Sequence, residues 1–89
     1  MELKTSLDRL LEQKGWIKIG FLVCDVEKEF GINARILALY MQHKIPYRRQ
    51  VDPAYQGEGI GPRLESLYAK KGYEGQARKI WEDIHKQSA

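Results

Sequence analysis

The chain has 89 residues, 43% of them hydrophobic and 30% charged, and a net charge of +3. That length supports one small domain, and that composition is globular rather than disordered. A single Cys24 excludes an internal disulfide framework, and two scattered histidines leave no zinc ligand set. No apolar run reaches the roughly 20 residues of a membrane span, and "MELKTSLDRL" is not built as a signal peptide. The expectation is a cytoplasmic protein with no membrane and no metal partner. The charge is segregated. No acidic residue lies between Phe30 and Val51, whereas Arg35, Lys44, Arg48 and Arg49 all do.

Residues 2–14 place Leu3, Leu7, Leu10 and Leu11 at helical spacing, which predicts an amphipathic helix in an N-terminal arm, residues 1–15. Ser6 or Thr5 is a candidate N-cap for a shorter version of it, and Gly15 closes the helix at a C′ position. "WIKIGFLV" then mixes β-branched and aromatic residues, as a short strand or as an extended lead-in to the next helix. Cys24, in the run Phe21-Leu22-Val23-Cys24, reads as a buried, inert thiol.

Residues 22–43 read as helix, tight turn, helix. Gly31 supplies a permissive backbone for the turn and Asn33 an N-cap for the second helix. Val26, Phe30, Ile32, Leu37 and Tyr40 would form the small core between them, and Pro46 turns the chain to extended backbone. The stretch "DVEKEFGINARILALYMQHKIPYRR" resembles the winged helix-turn-helix of phage excisionases and mercury-resistance-type regulators. Lys44, Ile45, Pro46, Tyr47 and Arg48 match that motif's exit into the wing. The resemblance implies double-stranded DNA as partner, with the second helix in the major groove.

Residues 45–61 are the expected hairpin or wing. Within them "VDPAYQGEGIG" resembles the acetyl-CoA loop of GNAT acetyltransferases, and Gly59-Ile60-Gly61-Pro62-Arg63-Leu64 resembles the hairpin of a helix-hairpin-helix DNA-binding motif. Both families set such glycines before a helix N-terminus, where free N–H groups and the dipole favour a phosphate. A third reading has the glycines merely shaping the wing. Two C-terminal helices are expected over 62–86. The first begins at Pro62 with Leu64, Leu67 and Tyr68 as its buried stripe, and the last carries Ala77, Ile80, Trp81 and Ile84 on one face.

The fold expected is mainly α with a short β-hairpin, a single winged helix-turn-helix-like domain over residues 1–89. Its function would be binding double-stranded DNA, as a small regulator or recombination accessory factor. Arg35 and Gln42 are the candidate base readers, because Arg pairs bidentately with guanine and Gln with adenine. Lys44, Arg48, Arg49, Gly59, Gly61 and Arg63 are the candidate phosphate contacts. Lys70 and Lys71 read as solvated charges at a helix end. No cofactor is expected and no nucleophile–base pair is evident, so the chain does not read as an enzyme. A minimal acetyl-CoA-binding protein and a small helical protein-interaction module are the alternatives. The apolar stripes of the terminal helices fit a homodimer seam or closure of the domain's own core.

Overall fold

A computed structural model describes residues 4–24, 26–52 and 63–88. Its elements in chain order are α1 (Ser6–Gln13), β1 (Trp16–Val23), α2 (Glu27–Gln42), β2 (Tyr47–Gln50), β3 (Leu64–Lys70) and α3 (Glu74–Ser88). The strands form one antiparallel sheet in the order β1-β3-β2. β1 and β2 therefore run parallel to one another, with α2 as the crossover between them and β3 inserted in the middle. This is a mixed α/β fold, not the mainly helical one expected.

Strand alternation sorts β3 between two layers. Leu67 and Ala69 join the main core with Leu22, Ile36, Tyr40, Ile45, Ala77 and Ile84, so α2 and α3 cover that face. Tyr68 points to the other face, where its hydroxyl donates to Asp8 of α1. β3 is thus a central strand buried on both sides, and Ser66, Leu67, Tyr68 and Ala69 are all buried. That corrects the helix expected from Pro62 to Gly72. Leu64, Leu67 and Tyr68 mimic a helical i, i+3, i+4 stripe only because a doubly covered strand has no polar face to alternate with.

The expected helix-turn-helix over 22–43 is also corrected. α2 runs unbroken through Gly31, and Ile32, Ile36 and Tyr40 repeat every four residues against the sheet. An internal glycine costs about 1 kcal/mol relative to alanine, whereas burying Ile36 and Tyr40 contributes about 1.5–3 kcal/mol each. The packing wins. Asn33 caps nothing; its Nδ2 donates to the Val23 carbonyl and ties α2 to the end of β1. At the other end α2 closes on Lys44 in the left-handed region (φ 56°), with Ile45 N–H bonded to the Tyr40 carbonyl.

Other expectations match. Gly15 (φ 88°) follows α1 and bonds the Glu12 carbonyl, as a C′ glycine does. "WIKIGFLV" is β1, with the register shifting at Ile19, a bulge between Lys18 and Gly20. α3 directs Ala77 and Ile84 into the core with Ile80 and Trp81 packed against it. The Trp81 ring lies against Gly20, where an added Cβ would stand 2.7 Å from its Cζ2 atom. The stripe of α3 thus closes the domain's own core rather than a dimer seam, and Leu11 of α1 is buried likewise. Among the described residues no helix is long and apolar enough to cross a membrane.

α1 is fastened by a capping box. Thr5 Oγ1 accepts from Asp8 N–H, and Asp8 Oδ2 accepts from Thr5 N–H. The buried Asp8 carboxylate also accepts from Tyr68 (2.5 Å) and Lys18 (3.1 Å). Burial alone pushes its pKa up, but the bonds from Tyr68, Thr5 and Lys18 outweigh this and hold it below the ordinary aspartate value of 3.8. A depressed carboxyl stabilises the fold fully above its unfolded pKa, and that contribution is lost as pH falls through the native value. Asp8→Asn should therefore lower unfolding stability by about 1–3 kcal/mol at neutral pH. Urea titrations of both proteins should show the gap closing only below pH 3.8.

Candidate nucleic-acid interface

The sheet has two ends of different character. At one, β1 begins opposite the end of β3, with Trp16 paired to Lys70. Lys71 N–H bonds the Gly15 carbonyl (2.7 Å) and Lys70 N–H the Pro46 carbonyl (3.1 Å). Those bonds bring Lys14, Lys44, Lys70 and Lys71 to a single end of the sheet, each of them exposed. Arg48, also exposed, sits opposite Tyr68 on β2, and Lys70 is its diagonal neighbour on the same sheet face. Among the described residues no ion pair engages Lys14, Lys44, Arg48 or Lys70. Glu74, whose field reaches Lys71, is taken up at the start of α3, where its carboxylate accepts from Gly72 N–H. Backbone N–H bonds hold that carboxyl below its ordinary value.

Of the residues singled out in the sequence, Lys44 and Arg48 belong to this basic end. Arg49 does not. It lies on the opposite face of β2, paired with Glu65 at 2.6 Å. Arg63 precedes β3 at the far end of the sheet, where its carbonyl accepts from Cys24 N–H. Gly59 and Gly61 lie outside the described residues, as does most of the wing expected over 45–61. Beyond the glycines, Leu64 starts a strand, not a helix. The helix N-terminus that both glycine-loop resemblances require of residues 62–72 is thus replaced by β3, and with it goes the dipole that would hold a phosphate there.

The two candidate base readers lie seven residues apart on α2, hence on one helical face. Arg35 donates to Gln87 Oε1 of α3, and Gln42 is exposed in the last turn. A neighbouring flank of α2 is apolar. Phe30 is 52% exposed and Met41 69%, with Ala34 exposed between them. A helix that enters a major groove instead surrounds its base readers with cations and polar donors.

The sequence does not by itself place Lys14, Lys70 and Lys71 at the basic end of the sheet. The usable signal was the β-register of "LESLYAK", which places Lys70 beside the start of β1 and the entry to β2. Among the described residues no cluster of three or more metal-ligating side chains is present.

Cys24 is half-buried, and its thiol donates to Glu65 Oε2 (2.9 Å), the same oxygen that pairs with Arg49. Burial pushes the thiol pKa up, and the Glu65 carboxylate adds to the rise. The thiol is held protonated and unreactive. Labelling of Cys24 at mildly alkaline pH should therefore be slower than that of free cysteine. Glu65→Gln, which removes the repelling charge and leaves the Arg49 guanidinium beside the sulfur, should accelerate it. Unchanged kinetics would mean that the carboxylate does not govern the thiol.

No family model, no curated protein and no solved structure matches this chain.

Proposed function

We propose that this is a nucleic-acid-binding domain that grips the backbone of double-stranded DNA through the basic end of its sheet. The observation that carries the proposal is the convergence of exposed cations at that end: Lys14, Lys44, Arg48 and Lys70, none with an ion-pair partner among the described residues. Like charges gathered without acidic partners repel one another. A phosphodiester backbone relieves that repulsion and releases its condensed counterions. Four or five such contacts give affinity and orientation but read no bases. The mode supported is therefore sequence-tolerant. A role as regulator or recombination accessory factor would require site selectivity, which this surface does not supply by itself.

The test is duplex binding across a salt series. Arg48→Ala and Lys70→Ala should each lower the slope of log affinity against log salt by about one, equally on any sequence. Lys44→Gly is the sharper variant, since it removes a cation and also relieves a left-handed backbone position that glycine adopts freely. It should weaken DNA binding while thermal stability holds or rises. Arg35→Ala should leave the slope unchanged. Wild-type protein that shows no salt-dependent duplex binding would sink the proposal.

A further inference from the structure

β1 is an edge strand, eight residues long, whose outer side faces no other strand among the described residues. The N–H and C=O groups along the open side of such an edge are a template for a further strand. A cavity of about 750 Å³ runs along this edge, with Ile17 to Phe21 as its floor, α1 as one wall and α3 as the other. Within it the Lys18 carbonyl accepts from the Arg78 guanidinium, at 3.4 Å.

The walls carry a specific charge order. Along α3, Arg78 precedes Glu82 by one turn; on the other wall Lys4, just before the cap of α1, lies 2.7 Å from Glu12. A two-fold axis perpendicular to the sheet can stand just outside β1, level with the middle of the strand. It sets β1 antiparallel to its copy, and likewise α1 and α3 to theirs. Arg78 then faces Glu82 of the second copy and Glu82 faces Arg78, whereas Lys4 and Glu12 on the other wall pair with each other within each chain. The α3 wall is complementary to itself reversed, as an isologous contact requires.

We infer that the occupant of this edge is a second copy of the chain, joined β1 to β1 into a continuous six-stranded antiparallel sheet. Partner N–H groups replace Arg78 at the Lys18 carbonyl, and the freed guanidinium pairs with Glu82 across the axis. The eleven residues that line the cavity fall short of the roughly 20–30 a side of a standard interface. The dimer is therefore reversible, and its population depends on concentration.

Sedimentation equilibrium of the full chain over a wide concentration range tests this, with circular dichroism confirming that each variant stays folded. Wild type should show a monomer–dimer equilibrium. Arg78→Glu should raise the dissociation constant by about tenfold or more at low salt, because it sets like charges opposite twice. Glu82→Arg should do the same. The double variant Arg78→Glu/Glu82→Arg restores the opposite-charge order and should recover the dimer. Amide exchange at Ile17 to Phe21 should slow as the dimer fills. Three results would overturn the inference: a monomer at every concentration, a charge swap that fails to rescue, or a dimer that leaves those amides exchanging as in the monomer. The last would move the contact elsewhere, with the exposed Phe30 and Met41 face of α2 as the alternative surface.

Discussion

A single buried carboxylate organises this molecule. Asp8 caps the first turn of α1 from within the helix, yet it also accepts from Tyr68 on the central strand and from Lys18 on the edge strand. Thr5, the other half of the capping box, extends the network by donating to the buried Asp52 just past β2. A short helix of eight residues has little intrinsic stability. Its position on the sheet is fixed by these polar bonds together with the burial of Leu11. The arrangement is costly to leave half made. With Asp8 uncharged, the Tyr68 hydroxyl and the Lys18 ammonium both lose a charged acceptor in a largely dry site.

Where α1 sits decides what the rest of that sheet face can do. Its contacts reach β1 and, through Tyr68, the central strand. Arg48 on β2 and Lys70 at the end of β3 remain exposed on the same face, beyond it. The turn that ends α1 delivers Lys14 to the same corner, because Gly15 bonds Lys71. On its other side α1 supplies Asp8 and Glu12 to the wall of the β1 cleft, and its lead-in supplies Lys4. One docked helix thus borders both proposed surfaces.

How much of this could be read from the sequence varies with how local each signal is. The C-terminal end of α1 was legible, because Gly15 is local cap chemistry, whereas Thr5 was one of two candidate caps and its reciprocal bond with Asp8 shows only in the structure. The stripe of α3 was legible too, since Ala77, Ile80, Trp81 and Ile84 keep one period throughout. β3 was not. A strand covered on both faces offers no alternation, and its burial is set by elements distant in sequence, as in the bond between Tyr68 and Asp8. Gly31 misled for the opposite reason. Nothing lies within 4 Å of where its side chain would be, and it has no positive φ, so it marks no turn. The basic end was half visible: Lys44 and Arg48 stood out by composition, whereas Lys14, Lys70 and Lys71 join them only through the register of β3.

The two proposed surfaces draw on different residues but constrain one another. A two-fold axis perpendicular to the sheet keeps both copies of each face on the same side. In the β1–β1 dimer the two basic ends therefore share a face and lie on a diagonal. Strands about 4.8 Å apart and a rise of about 3.3 Å per residue put β2 some 12 Å from the axis across the sheet and the Lys70 end about 11 Å from it along the strand direction. The two ends are then separated by about 30 Å, close to the roughly 34 Å repeat of B-form DNA. Two copies on one duplex would each meet the backbone in a similar rotational setting. Binding of the second would be intramolecular, and a weak dimer contact would strengthen a modest phosphate grip without any new base reading. Under the two proposals together, the edge cleft would serve duplex binding without sequence recognition. Backbone affinity that rises with protein concentration is a natural way for so small and so mildly charged a domain to hold a duplex.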